Sequence, residues 1–117
     1  MTLDELCAVV LSFPEAREDQ PFGPGALVYK VRGKMFALIA PEDPPSISLK
    51  CNPVLATMLR QTYPAVTPGY HLNKQHWNTV VVDGSVPESE LRDWIAHSYD
   101  LVVKGLPKRD RQALGRA

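Results

Sequence analysis

Residues 26–50 read ALVYKVRGKMFALIAPEDPPSISLK, and this stretch decides the fold class. From Ala26 the pattern has a period of two. Leu27 and Tyr29, with Val31 following, lie on one side of an extended chain, and Val28, Lys30 and Arg32 on the other. Arg32-Gly33-Lys34 makes the tip of a hairpin, because Gly33 supplies the positive φ that a tight turn requires. Met35 to Ala40 is the return strand. Glu42-Asp43-Pro44-Pro45 turns the chain again, and Ser46 to Lys50 alternates polar and apolar residues. Three consecutive antiparallel strands form a meander.

Upstream, Thr2 and Glu5 form a capping box ahead of Leu3, Leu6, Val9, Val10 and Phe13, which recur at helical spacing until Pro14. A first helix of about ten residues is expected there. Residues 14–25, PEAREDQPFGPG, carry prolines and glycines throughout and read as a loop. Downstream, Asn52-Pro53 starts a second helix, with an N-cap side chain followed by a proline where no donor is needed. Val54, Leu55, Met58 and Leu59 are assigned to the core, and Tyr63-Pro64 ends the segment. The stretch AVTPGYHLNKQHW is irregular, and Trp77 to Val82 is a fourth strand. Ser85 and Glu88 repeat the capping box before the longest helix, whose apolar face runs through Leu91, Trp94, Ile95, Ser98 or Tyr99, Val102 and Val103 to a stop at Gly105 and Pro107. The basic tail PKRDRQALGRA has room for one or two helical turns. The order α-β-β-β-α-β-α predicts a single α+β domain over residues 1–117, with an antiparallel sheet of four or more strands backed by helices.

The whole chain has 117 residues, enough for one core without staples. A membrane-spanning helix needs about 20 apolar residues, whereas the longest apolar runs here are six residues, Leu6 to Leu11 and Met35 to Ala40. The first residues carry acids where a secretory leader carries bases, so none is expected. Cys7 and Cys51 form no CxxC pair, and reduced thiols in a cytoplasm are the expectation. The 13 basic and 13 acidic residues cancel, but they are segregated. Residues 1–22 hold five acids and one base, 23–82 six bases and two acids, 83–103 five acids and one base, and 104–117 five bases and one acid. Surface potential follows arrangement, not total.

Two segments carry candidate binding chemistry. The stretch GYHLNKQHWN gathers His71, Asn73, Lys74, Gln75, His76, Trp77 and Asn78 between apolar elements, as a binding loop does. The same residues also suit a loop held together by its own hydrogen bonds, with Trp77 as an anchor. The hairpin Tyr29 to Lys34 brings Lys30, Arg32 and Lys34 to a wing-like tip that could follow a phosphate backbone, or simply keep the edge soluble. His71 and His76 lack the spacing of a helical metal pair, and no metal or other cofactor is expected. With no GxSxG motif and no glycine-rich phosphate loop, no catalytic residue is assigned and no enzyme is expected.

Across His71 to Thr79 (HLNK-x-HW-x-T) and Asp83 to Pro87 (DGS-x-P), with Ser48-Leu49-Lys50 before a helix, the chain closely resembles the MmcQ/YjbR family of small bacterial proteins. The likeness spans nearly the whole chain. It implies a frataxin (CyaY)-like fold and a DNA-binding role through a paired-wing arrangement. It carries no catalytic residues with it. Iron binding of the frataxin kind uses an acidic ridge on the first helix and adjoining strand, whereas here that helix offers only Asp4 and Glu5. The leading expectation is therefore a monomeric, non-enzymatic DNA-binding domain. Its contacts would be Lys30, Arg32, Lys34, Lys50, His71, Asn73, Lys74 and His76, mainly to phosphates, with Asn73 or Trp77 reading bases. The competing expectation is a small-molecule or protein-interaction module with a pocket walled by Tyr70, His76 and Trp77. A continuous convex basic face would favour DNA; a concave pocket would favour a ligand.

Overall fold

The computed structural model describes residues 1–19, 25–69 and 72–116. Helix α1 (Leu3–Leu11) is followed by strands β1 (Arg17–Asp19), β2 (Leu27–Val31), β3 (Lys34–Ala40) and β4 (Ser46–Lys50). Helix α2 (Pro53–Thr62), strands β5 (Val66–Pro68) and β6 (Trp77–Val81), and helices α3 (Glu88–Lys104) and α4 (Lys108–Ala113) complete the chain. The six strands form one antiparallel sheet in the order β1-β2-β3-β4-β6-β5. The α+β class, the meander and the Trp77 strand are as the sequence predicts. Two short strands go beyond that reading. Arg17–Asp19, inside the segment read as a loop, pairs with β2, and Val66–Pro68, inside the segment read as irregular, pairs with β6. Each is three residues long and lies at a sheet edge, so neither has enough alternation to be recognised.

Local chemistry explains most element ends. Thr2 and Glu5 make the reciprocal capping box, and the Asn52 side chain accepts from the Val54 amide ahead of Pro53. The β2–β3 hairpin turns at Arg32 and Gly33, with φ of 50° and 80°, the paired left-handed residues of a type I′ turn. Ser85 does not cap α3. Its amide and hydroxyl both bond Asp83 Oδ1, at 3.0 and 2.6 Å, and the helix starts after Pro87 with no side-chain cap. Those bonds from Ser85 hold the Asp83 carboxyl below its ordinary value.

Tyr29, Val31, Ala37, Ile39, Ile47, Leu49, Val66 and Val80 share the helix-covered face of the sheet and form one core with Leu6, Val10, Ile95 and Val102. A register shift between Tyr29 and Lys30 places Tyr29 opposite Ala37 and Lys30 opposite Met35. Phe36 is thus the extra residue of a bulge, and it turns inward beside Ala37. Its ring meets Tyr99 edge-on with centroids 5.3 Å apart, and Phe13 closes the cluster at 5.0 Å from Tyr99. In α2 the core assignment holds only in part. Leu55 and Leu59 are half-buried, but Val54 is 71% and Met58 55% exposed, and Ala56 is the residue fully enclosed. Ten residues over an edge of the sheet present a narrower buried stripe than their apolar content suggests.

Two core tyrosines set an alkaline limit. Tyr29 has no exposed surface, and its hydroxyl donates to Glu18 Oε1 at 2.8 Å. Burial first, then hydrogen bonds with Cys7 and Glu18, push its phenol far above the usual range. Burial also raises Tyr99, against a smaller pull from Arg116. Folding thus favours the neutral phenols. Their contribution is complete below the unfolded value of about 10 and declines as pH rises above it. The urea midpoint is expected to fall between pH 9 and 11, and Tyr29→Phe to make that decline shallower; an equally steep decline in the variant would refute this.

Candidate binding site on the open face of the sheet

Strand alternation gives the second face of the sheet its own set of side chains. One row crosses all six strands: Asp19, Val28, Leu38, Ser48, Thr79 and Thr67, each opposite the next. Ser48 Oγ and Thr79 Oγ1 lie 2.8 Å apart and bond across β4 and β6. Over this face lies a hollow of about 970 Å³, and none of the residues lining it belongs to a helix. Val28, Met35, Leu38 and Ala40 supply the apolar floor, with Leu72 at one side. Lys30 and Lys34 stand at the hairpin end, and Glu42 follows the opposite end of β3.

The candidate cations fare differently. Lys30 is paired with Asp19 at 3.1 Å. Arg32 reaches Glu15 at 3.1 Å and Asp110 at 3.6 Å, so its guanidinium ties the hairpin to the segment after α1 and to α4. Lys34 is exposed at the start of β3. Lys50 ends β4 on the open-face register opposite Trp77, and both are half-buried.

The described part of the HLNKQHW loop spends much of its polarity on itself. Asn73 Oδ1 accepts from the Gln75 amide at 2.9 Å, and the Asn73 carbonyl accepts from the His76 amide. The His76 carbonyl accepts from the Cys51 amide at 2.7 Å. The side chains of Asn73, Lys74 and His76 are exposed and line none of the hollow; Leu72 is the one described loop residue that does. Trp77 lies beside the hollow rather than walling it. Tyr70 and His71 fall outside the described residues. The described hollow lies on the sheet, and the strand that follows the loop carries Thr79, not His76, onto its floor by alternation.

Arg60 and Asn78 organise this corner; the sequence does not single out Arg60, and Asn78 belongs to the GYHLNKQHWN cluster but not to the expected contacts. From the last turn of α2, Arg60 Nε donates to Asn78 Oδ1 at 2.6 Å, and Nη2 donates to the carbonyls of Trp77 and Lys74. Asn78, 3% exposed, donates in turn to the Ala56 carbonyl at 3.3 Å. The available signal was Asn78 itself, a polar residue on the core side of a strand, where it must find partners. Gly69 completes the corner. A Cβ there would stand 2.7 Å from Trp77 Cβ, so the close approach of β5 to β6 requires glycine. Burial pushes the neighbouring Cys51 thiol up, against an opposing pull from Arg60, so the thiol stays protonated at neutral pH. Among the described residues, no group of three or more His, Cys, Asp and Glu is placed to hold a metal, and no helix is long and apolar enough to cross a membrane.

A six-stranded antiparallel sheet with helices on one face and a hollow on the other makes this an α+β protein with an open sheet face. The chain belongs to the YjbR family, whose model matches residues 11–101. It is 38% identical over 115 residues to the protein YjbR of Escherichia coli K12, covering 97% of this chain and 98% of that one. It is 41% identical over 105 residues to YbdF of Escherichia coli O157:H7, covering 89% and 86%. The crystal structure of Deinococcus radiodurans protein DR2400, of the DUF419 domain, superposes with a TM-score of 0.92 at 41% identity, over 99% of this chain and 89% of that one. A crystal structure of a Pseudomonas syringae protein gives 0.76 at 26% identity, over 86% and 98%.

Proposed function

We propose that this chain is a monomeric, non-enzymatic binding module whose ligand is a small molecule seated in the hollow on the open face of the sheet. The observation that carries the reading is the hollow itself. At about 970 Å³ it is in the upper range of ligand sites. Its floor is apolar, and the polar groups that converge on it are few. Ser48 and Thr79 already bond each other, a pairing suited to recognition more than to bond-making chemistry. The two free thiols, Cys7 and Cys51, suit a reducing cytoplasm.

A second reading, DNA binding, is favoured by one observation: Arg17, Lys30 and Lys50 share the open-face register with Trp77. Lysines there would meet phosphates, and the indole could stack on a base of a single strand. Against it, Arg32 is engaged by two acids and Lys30 by one.

Titration with 1-anilinonaphthalene-8-sulfonate separates the readings. The folded protein is expected to saturate with about one dye per chain. Leu38→Gln, in the middle of the floor, should weaken that binding at least tenfold while the melting transition remains cooperative. A dye signal without saturation, or one indifferent to Leu38→Gln, would overturn the small-molecule reading. DNA binding at low salt that falls with salt and with Lys34→Ala and Lys50→Ala, but ignores Leu38→Gln, would put the second in its place.

A further inference from the structure

The charge along the hollow is polarised. Lys30 and Lys34 lie at the hairpin end, where Arg17 stands opposite Lys30 on β1, and Asp19 is already paired with Lys30. Glu42 lines the hollow beyond the other end of β3. Seven residues of strand at about 3.3 Å each separate the two ends by roughly 20 Å. Between them the accessible floor is Met35, Leu38 and Ala40, with no charged side chain lining it.

We propose that the occupant is an amphipathic acid, a small molecule with an apolar body and one anionic head, held with its head against Lys34 and its body over Met35, Leu38 and Ala40. This rests on the small-molecule reading above. Complementarity fixes the orientation. A head at the hairpin end meets an exposed ammonium that no acid among the described residues pairs, together with the Arg17 and Lys30 cations. The reversed molecule would set its head against Glu42, and like charges brought together at a partly desolvated site repel. A neutral ligand would gain the apolar contacts and leave Lys34 unused. A carboxylate and a phosphate monoester share the required chemistry, because a lysine serves as a point charge for either.

Displacement of the dye by four twelve-carbon probes, each below its aggregation concentration, tests this: laurate, dodecyl phosphate, dodecanol and dodecyltrimethylammonium. Laurate and dodecyl phosphate are expected to compete at least tenfold better than dodecanol, and the cation worst. The stronger of the two anions identifies the head group. Lys34→Gln, at an exposed position, should remove most of that tenfold advantage, and Lys104→Gln, on α3 and away from the hollow, should preserve it. Dodecanol competing as well as laurate, or an advantage that survives Lys34→Gln, would overturn the amphipathic-acid assignment while leaving a ligand in the hollow. Failure of all four probes against a dye that itself does not saturate would overturn the small-molecule reading as well.

Discussion

Replacing Ser98 with alanine is expected to lower the unfolding free energy by about 2–4 kcal/mol, a large loss for the removal of one oxygen. Ser98 has no exposed surface. Its Oγ accepts from the Lys50 amide at 2.8 Å and donates to the Phe36 carbonyl at 2.6 Å. The β3–β4 register ends with Ala37 opposite Leu49, so Phe36 and Lys50 are the next two residues, and the hydroxyl bridges them where the strands part. In Ser98→Ala the methyl group fits, but a buried carbonyl and a part-buried amide both lose their partner. Each costs its desolvation, about 1–3 kcal/mol. Urea unfolding reads the effect as a lowered midpoint at unchanged slope. Faster amide exchange at Lys50 should accompany it, since the amide is then held only by neighbouring pairs. An unchanged midpoint would mean that the bridge contributes nothing.

Arg60→Met is expected to cost about 2–3 kcal/mol, even though methionine retains much of the aliphatic stem. What is lost is the donor to Asn78 Oδ1, in a residue 3% exposed, and the donors to the Trp77 and Lys74 carbonyls. These bonds fasten α2 to the turn before β6, so the cost includes looser positioning of Trp77. A double-mutant cycle with Asn78→Leu isolates the pair. Once Asn78 is gone no buried oxygen awaits a donor, and the two losses should be less than additive by about 1 kcal/mol or more. Strict additivity would show that the two residues act independently.

Neither Ser98 nor Arg60 can be valued from the chain alone, and the reason is the same for both. Ser98 falls on the apolar stripe of the longest helix, so periodicity places it inward, but its partners are 48 and 62 residues away. Arg60 reads as an ordinary basic residue in a last helical turn. Its value comes from a strand 18 residues later. The charge blocks mislead in a related way. The bases of the hairpin suggest a surface awaiting a polyanion, yet the acids of the first block fold onto them: Asp19 on Lys30 and Glu15 on Arg32. Neutralisation between segments eleven to seventeen residues apart is a matter of sheet pairing and turn geometry, which charge counting does not contain.

Local, short-range rules are what the sequence by itself determined. Alternation from Leu27 to Val31 and from Ser46 to Lys50, the turn at Gly33, the capping box at Thr2 and the start at Asn52-Pro53 each depend on a few neighbouring residues, and the structure repeats them. The α+β class follows from their order. Tertiary structure alone decided the two edge strands, the bulge at Phe36, the pairing of Arg32 and the place of the hollow. The hollow needs one residue from each of four strands in register, Val28 beside Leu38 beside Ser48 beside Thr79, and a shift of one residue in any of these pairings would turn that strand's contribution to the opposite face. Alternation says that a strand has two faces; only packing says which one the helices cover and which one carries the hollow.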